Sequence, residues 1–345
     1  MLMSDVLFIT RKLRGKGGMQ QHTQDLWRAF RELCGEQSIL VGPRSICGYI
    51  FFPPYALFCG VRAARKGYVI HLGDLALSPL ARLIKLFVPS AKITAVACGL
   101  DVLYPRRLYQ WILARSLASL DRVVCISNAT ANAVRSAGVD DEKIVTIPCG
   151  IWMDAVAVKE TQEKVGPPHL VSIGRLVPRK GVLWFVKEVL PQLLQEHPGL
   201  TYTVVGTGEE ERLIKKLVQD RALIEAVNLI GGVDDTQRDQ LLSDADCLVV
   251  PNVPIKDDME GFGIVCIEAS SRGVPVAAAR IEGLTDAVLE GKTGLFFESG
   301  NPKDSADTIG KLLSAHLDPA SISLATQEQY GWDQLLSRYS NALFS

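Results

Sequence analysis

The chain has 345 residues, of which 48% are apolar and 22% are charged, and its formal net charge is -1. A chain of this length usually divides into two hydrophobic cores, and the composition excludes a disordered or fibrous protein. The longest apolar stretch, residues 49–61, is too short for a membrane-spanning helix and contains two prolines.

The net charge conceals a difference between the two halves of the chain. Residues 1–152 contain 19 Lys and Arg against 10 Asp and Glu, a net charge of +9, whereas residues 153–345 contain 18 against 28, a net charge of -10. A basic half is suited to an anionic partner such as a phosphate group or an acidic membrane surface. A chance division between two hydrated surfaces explains the same counts.

The cysteines and the N-terminus indicate a reducing compartment. The eight cysteines form no C-x-x-C pair, and several stand in apolar runs such as residues 123–126, which is typical of buried thiols. Residues 1–10 lead into an apolar strand without a basic region or a cleavage site, which predicts no signal peptide. We therefore expect a cytoplasmic protein.

Short apolar runs alternate with helical patterns along the chain, which is typical of βαβ units with parallel sheets. Because the runs are apolar on both faces, we expect helices on both sides of each sheet. The first series of predicted strands is Val6–Thr10, Ile39–Gly42, Val69–Leu72, Ile93–Ala97, Arg122–Ile126 and Ile144–Ile147. The second series is Leu170–Ile173, Thr201–Val205, Val227–Ile230, Cys247–Pro251, Val274–Ala277 and Gly294–Phe296.

A polar segment separates the two series. Residues 152–168 are rich in charge and end in a Gly-Pro-Pro sequence, which predicts an interdomain linker. We predict an N-terminal domain over residues 1–155 and a C-terminal domain over residues 166–330, and we expect a C-terminal helix over residues 332–345 to pack back on the first. The predicted fold class is α/β, with two doubly wound Rossmann-like domains.

Two glutamates, Glu260 and Glu268, follow the predicted strand Cys247–Pro251. Ligands of open α/β sheets bind beyond the carboxyl ends of strands, so this segment is suitably placed. Gly261 and Gly263 allow close approach of backbone amides, and the helix that begins here offers free N–H groups to a diphosphate. The spacing of the two glutamates alone allows an equally good interpretation, in which one acid lies near a helix N-terminus and the other on a hydrated face.

Cations beside glycines follow the first strand of the second domain, in residues 172–181. Arg175 and Lys180 could neutralise a leaving nucleoside diphosphate, Arg through paired hydrogen bonds and Lys as a point charge. A basic hydrated loop is the alternative interpretation. Gly206 and Gly208 end a later strand at a position where a nucleotide could stack, although this pair alone is a weak signal.

Other motifs are incomplete. The Gly-Lys-Thr sequence at residues 291–293 lacks the first glycine of a P-loop, because residue 286 is Asp. Gly206 and Gly208 lack the third glycine of a dinucleotide fingerprint, because residue 211 is Glu. No zinc-ligand spacing and no EF-hand loop occur in the sequence. The chain has no recognised nucleic-acid-binding module, so nucleic acid is not an expected partner.

Taken together, these motifs resemble glycosyltransferase family 4. The resemblance rests on the paired glutamates, the G-R-L-x-x-x-K-G segment, the V-V-G-x-G-x-E turn and the early Gly17-Gly18 loop, and it covers nearly the whole chain. It implies the GT-B fold, in which two Rossmann-like domains face a central cleft. It further implies a retaining hexosyltransferase that uses a UDP- or GDP-sugar and no metal or other cofactor, as in polysaccharide biosynthesis.

The resemblance also implies roles for individual residues. Glu260 would face the donor sugar, Arg175 and Lys180 would bind the diphosphate, and these three are the expected catalytic residues. Glu268 would bind the ribose hydroxyls, and residues 231–234 would line the base. The other expected donor-binding residues are Gly18, Gly174, Gly206, Gly231, Val233, Phe262, Gly263, Ile264 and Val265.

The chain departs from the family where an N-domain histidine is common, in a T-x-H-G-x-D-like pattern. Here residues 94–101 read T-A-V-A-C-G-L-D, and the thiol of Cys98 cannot reproduce imidazole hydrogen bonds. Residues 147–152 also depart from the family's I-P-N-G-V-D. His71 is expected to project from the end of its strand, although structural roles for His71 and His22 are equally good interpretations. The acceptor-side or sugar-orienting candidates are Gly17, His22, His71, Cys98 and Asp101.

Two basic amphipathic stretches, Leu77–Val88 and Pro105–Leu120, lie in the N-terminal half. Exposed apolar residues beside cations would suit an anionic membrane, which predicts a peripheral position on its inner face and a lipid-linked acceptor. Packing of both stretches on the sheet is the simpler interpretation. A glycan or a small-molecule acceptor remains open.

Two other functions share the pattern. A noncatalytic or degenerate nucleotide-sugar-binding protein is favoured by Cys98. A GT-B sugar-nucleotide epimerase would share the fold, but the paired acids favour transfer over epimerisation.

Overall fold

The structure is a computed structural model that describes residues 5–11, 17–35, 38–43, 48–160, 166–315 and 317–345. Part of the predicted linker, residues 161–165, lies outside the described residues. The chain divides into two compact units, residues 1–150 with 332–345 and residues 151–331. Each unit contains one six-stranded sheet whose paired strands are all parallel.

The first unit has the strand order β2-β1-β3-β4-β5-β6. Every residue of β1, β3 and β4 is buried, because helices cover both faces of the sheet. The strands are β1 (Val6–Ile9), β2 (Ile39–Val41), β3 (Val69–Leu72), β4 (Ile93–Ala97), β5 (Arg122–Cys125) and β6 (Ile144–Thr146). The helices are α1 (Gly18–Cys34), α2 (Gly48–Arg65), α3 (Ser78–Phe87), α4 (Leu100–Leu103), α5 (Arg107–Leu117) and α6 (Asn128–Ser136).

The second unit has the strand order β12-β11-β10-β7-β8-β9. The strands are β7 (His169–Ile173), β8 (Thr201–Val205), β9 (Val227–Gly231), β10 (Cys247–Val250), β11 (Val276–Ala279) and β12 (Gly294–Phe297). The helices are α7 (Val182–Trp184), α8 (Leu190–Glu196), α9 (Glu211–Asp220), α10 (Asp235–Asp244), α11 (Ile264–Ser271), α12 (Pro302–Ser314) and α13 (Pro319–Tyr330). A π-helical turn, Phe185–Val189, joins α7 to α8.

The last helix, α14 (Trp332–Phe344), belongs to the first unit although it follows the second unit in the sequence. The Tyr339 ring lies 5.5 Å from the Trp332 ring and 6.3 Å from the Phe30 ring of α1. Arg338 donates a hydrogen bond of 2.7 Å to the carbonyl of Thr146, at the end of β6. These contacts fix α14 on the first unit.

The strand order of each sheet contains one reversal. In the second unit the chain runs outward from β7 through β8 to β9, then returns to the other side of β7 with β10. In the first unit the reversal lies between β1 and β3. A crevice opens at the carboxyl ends of the strands at such a point, which is where open α/β sheets bind ligands.

The structure confirms the predicted α/β class with two doubly wound sheets. In the described part of the chain, none of the helices combines the length and the apolar character needed to cross a bilayer.

Candidate functional site

The second unit has an open recess at the strand-order reversal between β7 and β10. Its floor is formed by the carboxyl ends of β7, β8 and β10, and Lys180 contributes a charged side chain to it. Its lining includes Gly174, Arg175, Lys180, Val205, Val250 and Asn252. The recess therefore lies where the sheet topology predicts a ligand.

Three predicted donor-binding glycines meet at the ends of adjacent strands. The Gly174 N–H donates to the Val205 carbonyl at 3.0 Å, and the Gly206 N–H donates to the Gly231 carbonyl at 2.7 Å. A Cβ on Gly206 would lie 1.8 Å from the Gly174 carbonyl oxygen, and the Gly206 φ of 131° is left-handed. No side chain fits at Gly206, so backbone alone forms this edge of the recess.

Glu260 is held in the second unit by three hydrogen-bond donors that converge on one oxygen. Its Oε2 accepts from Arg179 Nη1 at 2.6 Å and from Asn252 Nδ2 at 2.8 Å, and it also accepts from Lys180 Nζ. Glu260 is only 9% exposed. The carboxylate is thus fixed in position and almost removed from water.

The charge of Glu260 follows from this environment. Burial opposes ionisation, but Lys180 and Arg179 outweigh burial and lower the pKa of the Glu260 carboxyl to about 2. Glu260 is therefore a carboxylate at neutral pH and has no proton to give to a leaving group. The carboxylate also holds the Lys180 ammonium group beside the recess.

The three cations of residues 172–181 have different surroundings. Arg179 is 5% exposed and also pairs with Asp258, at 3.1 Å. Lys180 is partly exposed at the recess, and Arg175 is exposed. The Arg175 side chain has no hydrogen bond or ion pair with any residue that the structure describes. Arg175 and Lys180 thus place positive charge at the recess, whereas Arg179 compensates the buried Glu260 carboxylate and the partly exposed Asp258.

Residues 251–263 join β10 to α11 and are called the Glu260 loop. Glu282 and Gly283 hold the backbone of this loop. Glu282 Oε2 accepts from the Glu260 N–H at 2.5 Å, and the Gly283 N–H donates to the Glu260 carbonyl at 3.1 Å. Glu282 has a φ of 47°, which costs a non-glycine residue about 1 kcal/mol or more. A Cβ on Gly283 would lie 2.2 Å from the Gly261 carbonyl oxygen. The surrounding packing maintains this strained turn. The turn then fixes the backbone of the Glu260 loop.

The Glu260 loop leads directly into the N-terminus of α11. The amides of residues 262–265 donate no hydrogen bond to any group in the described ranges. The Phe262 ring is buried and lies 6.0 Å from the Tyr330 ring, so only the backbone of Phe262 can meet a ligand. Free amides and the helix dipole make this terminus a favourable position for an anion.

Glu268 lies on α11 and faces a cation from α10. Its Oε1 is 3.4 Å from Arg238 Nη1. Burial raises the pKa of the Glu268 carboxyl, against the opposing effects of Arg238 and Arg272. Helix α10 begins just after β9, with a capping box in which the Asp234 side chain accepts from the Gln237 N–H. The segment at residues 231–234, which includes Val233, therefore leads into the helix that carries the Arg238 partner of Glu268.

The predicted histidines of the first unit lie in its core. His71 is fully buried between the rings of Phe8 and Phe30, at 5.7 and 5.1 Å, and its Nδ1 is 2.7 Å from Thr94 Oγ1. Burial, followed by the charge of His22, lowers the pKa of His71 to about 3. The His71 ring packs in the core instead of projecting from the strand end. His22, on α1, is 1% exposed.

Cys98 and Asp101 follow β4 at its carboxyl end. Asp101 accepts from the Cys98 N–H at 2.9 Å and from the Leu75 N–H at 3.0 Å, so it ties the end of β4 to the turn after β3. Gly17 caps α1 and Gly18 is its first residue. The sugar-orienting and acceptor-side roles of these residues stay predictions.

Asn252, Glu282 and Arg238 had no predicted role, and Arg179 was predicted only as one of the cations of residues 172–181. Arg179 and Asn252 are hydrogen-bond partners of the Glu260 carboxylate, Glu282 accepts from its backbone N–H, and Arg238 faces Glu268. The Pro-Arg-Lys-Gly sequence at residues 178–181 was an available signal for a second cation. The others become neighbours of the glutamates only through the fold.

Two family models match the chain. The model for glycosyl transferases group 1 matches residues 155–329, about half of the chain, and includes the whole recess. The model for Glycosyltransferase Family 4 matches residues 99–154. Both matches agree with the predicted resemblance, which is thereby confirmed.

Two curated relatives are similar over 85% and 67% of the chain. WcaL of Escherichia coli, a glycosyltransferase provisionally assigned to colanic acid biosynthesis, is 26% identical over 85% of this chain and 70% of its own length. A GDP-mannose-dependent phosphatidylinositol monomannoside mannosyltransferase of Mycobacterium tuberculosis is 29% identical over 67% of this chain. That match spans 64% of the mannosyltransferase.

Solved structures share the fold. HepE of Anabaena in complex with UDP has a TM-score of 0.76 at 16% identity, and the match covers 98% of this chain and 99% of HepE. Because the identity is low, this similarity concerns the fold alone. The family model over residues 155–329, the relatives and the fold together show that this chain is a glycosyltransferase with the GT-B fold that belongs to the glycosyl transferases group 1.

Proposed function

We propose that the protein is a retaining glycosyltransferase that transfers a hexosyl group from a UDP- or GDP-sugar to a saccharide or lipid-linked acceptor. The observation that carries this proposal is the Lys180 ammonium group, which Glu260 fixes at the recess, together with the unpaired amides where the chain after Glu260 enters α11. A fixed cation, free amides and an exposed guanidinium are the groups that a leaving diphosphate requires.

The donor would occupy the second unit along the ends of its strands. The diphosphate would meet Lys180, Arg175 and the amides of residues 262–265. The ribose would meet Glu268, and the base would lie along residues 231–234. HepE binds UDP and the mycobacterial relative uses GDP-mannose, which supports a nucleoside diphosphate donor of either kind.

Charge stabilisation would supply most of the catalysis. As the bond from the sugar to the diphosphate breaks, negative charge develops on the diphosphate. The acceptor oxygen would bond to the same face of the sugar, and its proton would pass to the leaving diphosphate. Because Glu260 holds Lys180 and the start of α11 fixes its amides, these groups would need little reorganisation during this step. Glu260 cannot act as a general acid, because its pKa is about 2, and it would instead hold Lys180 and meet the sugar.

Replacement of Glu268 by Gln is expected to weaken binding of the nucleoside diphosphate by about tenfold to a hundredfold, since a hydrogen bond to a charged group contributes about 1.5–3 kcal/mol. Isothermal titration with UDP and GDP measures the change. Glu225, an exposed residue of the same unit, provides the matched control variant Glu225→Gln. Equal affinity of Glu268→Gln and the control would remove Glu268 from the donor site.

Two measurements test the proposed transfer. Thermal shift against a panel of UDP- and GDP-sugars identifies the donor, and NMR of the product reports the anomeric configuration of the transferred sugar. We expect the configuration of the donor to be kept, and an inverted product would contradict the retaining mechanism.

A second candidate function is a nucleotide-sugar-binding protein without transferase activity. Cys98 favours it, because a buried thiol stands where the family often has a histidine. Such a protein would bind the donor in the thermal shift experiment and would show neither transfer nor slow hydrolysis of the donor.

We propose a cytoplasmic location, peripheral on the inner face of the membrane when the acceptor is lipid-linked. The cysteines that the structure describes are all free thiols, which supports a reducing compartment. WcaL supports a role in polysaccharide biosynthesis.

A further inference from the structure

Helices α2, α3 and α5 of the first unit are neighbours, with α3 in contact with both α2 and α5. A Cβ on Gly60 of α2 would lie 2.5 Å from the end of the Ile84 side chain on α3, so these two helices pack closely. All three helices carry large apolar side chains on their outer sides. We call these outer sides of α2, α3 and α5 the basic apolar surface.

The outer stripe of α2 is apolar over two turns. Phe51, Tyr55 and Phe58 follow helical spacing on one side of the helix and are 70%, 57% and 62% exposed. The opposite side of α2 is apolar as well, and it buries Phe52 and Ala56 in the core. A helix that covers a sheet needs only one apolar side, so core packing does not account for the outer stripe.

Helices α3 and α5 repeat this arrangement. Leu86 and Phe87 on α3 are 71% and 59% exposed, and Leu108 and Trp111 on α5 are 69% and 54% exposed. The guanidinium of Arg115 lies 4.0 Å from the centroid of the Trp111 ring. Packing on the sheet, the simpler interpretation of the two basic stretches, thus leaves these residues unexplained.

The charged residues of the segment that carries these three helices are mostly cations. Residues 48–120 contain nine Lys and Arg but only two acids, Asp74 and Asp101, and both acids are buried. The next acid, Asp121, pairs with Lys85 at 2.7 Å. Arg62 and Arg65 extend the α2 stripe at the same helical spacing, so exposed guanidinium groups border the apolar side chains.

We propose that the basic apolar surface docks on an anionic lipid bilayer. Aromatic and aliphatic side chains enter the boundary between headgroups and acyl chains, while the arginines stay among the lipid phosphates. A second copy of the chain is a poorer occupant, because a two-fold contact through this surface would place like charges opposite one another. The inference deepens the peripheral location in the proposed function by naming the surface that meets the membrane.

Vesicle sedimentation tests the docking without any glycosyl transfer. The full chain is mixed at low salt with vesicles of phosphatidylcholine and phosphatidylglycerol in equal amounts, and with vesicles of phosphatidylcholine alone. We expect binding to the anionic vesicles, release at high salt, and much weaker binding to the neutral ones. Because the assay contains no sugar donor, a failure to bind vesicles can be distinguished from a failure of glycosyl transfer.

Two sets of variants separate the apolar and the ionic contributions. The combined Phe58→Ser, Leu86→Ser and Trp111→Ser variant is expected to lose at least about a hundredfold in partition, since each buried side chain contributes about tenfold. The combined Arg62→Gln, Arg82→Gln and Arg107→Gln variant is expected to lose about fivefold per arginine. Both sets replace exposed residues, so circular dichroism and the melting temperature should stay unchanged.

The matched control replaces exposed apolar residues of the second unit, Leu213→Ser, Ile224→Ser and Leu324→Ser, which are 55%, 64% and 55% exposed. It is expected to bind vesicles like the original protein. Equal binding of the Phe58, Leu86 and Trp111 variant would overturn the proposal, as would equal binding to neutral vesicles. A dimer in solution that this variant abolishes, without any vesicle binding, would assign the surface to contacts between copies of the chain.

Discussion

Replacement of Lys180 by Ala is expected to lower kcat by about a hundredfold to a thousandfold, the range found when one preorganised charge-stabilising group is removed. Lys180 lines the recess, and Glu260 fixes its ammonium group there. In the proposed mechanism this group meets the negative charge that develops on the leaving diphosphate. Steady-state kinetics with the donor identified by thermal shift measure the effect.

The same variant should remain folded. Without Lys180, the Glu260 carboxylate still accepts hydrogen bonds from Arg179 and Asn252, so its buried charge keeps a cationic partner. Lys216→Ala, on the exposed surface of the same unit, serves as the matched control and should keep full activity. A Lys180→Ala enzyme with nearly normal kcat would remove Lys180 from the catalytic residues.

Replacement of Arg179 by Ala is expected to lower the free energy of unfolding by about 1.5–3 kcal/mol, because the buried Glu260 carboxylate loses a charged hydrogen bond, although Lys180 and Asn252 still donate to it. Arg179 is 5% exposed and pairs with both Glu260 and Asp258. Urea unfolding measures the loss, and hydrogen exchange of the β7 and β10 peptides assigns it to the second unit. Arg212→Ala, at an exposed position on α9, is the matched control.

This loss should depend on pH with a defined sign. The pKa of Glu260 is about 2 in the folded protein, below the ordinary value of about 4.3 in an unfolded chain. The ionised carboxylate therefore stabilises the fold above about pH 4.3, and this contribution disappears as the pH falls toward 2. Without Arg179, burial is less well opposed and the folded pKa of Glu260 rises.

The difference in unfolding free energy between the original protein and Arg179→Ala should therefore be largest near neutral pH and should shrink below about pH 4. A difference that stays constant from neutral pH into this acid range would show that Glu260 is not the group that Arg179 compensates.

The strands were predictable because burial on both faces of a parallel sheet requires continuous apolar runs. The predicted runs Val69–Leu72 and Ile93–Ala97 coincide with β3 and β4. Glycines at strand ends were predictable for a related reason, since a side chain on Gly206 would collide with the Gly174 carbonyl of the neighbouring strand. This part of the prediction rested on residue types at single positions and on a βα pattern that repeats along the chain.

The separation of roles among Arg175, Arg179 and Lys180 was not predictable. All three cations stand within six residues, and only contacts across about eighty residues bring Arg179 and Lys180 to Glu260 while Arg175 stays in solvent. Glu282 is a similar case, because its hydrogen bond to the Glu260 N–H depends on a left-handed backbone turn.

The burial of His71 and the exposure of Phe51 likewise depend on the folded structure and not on the local sequence. The strand pattern places His71 near a strand end, but only the packing of Phe8 and Phe30 around its ring buries it. An apolar helix such as α2 gives no sequence signal for which of its two apolar sides meets the sheet. The exposed stripe thus became visible only in the folded unit.

The central claim is that the recess at the ends of β7, β8 and β10 binds the diphosphate of a nucleotide sugar. A crystal structure of the protein with the nucleoside diphosphate that gives the largest thermal shift tests this claim most directly. We expect the diphosphate within hydrogen-bonding distance of Lys180 and the α11 amides, and the ribose on Glu268. A diphosphate bound away from Lys180, with the ribose away from Glu268, would contradict the account.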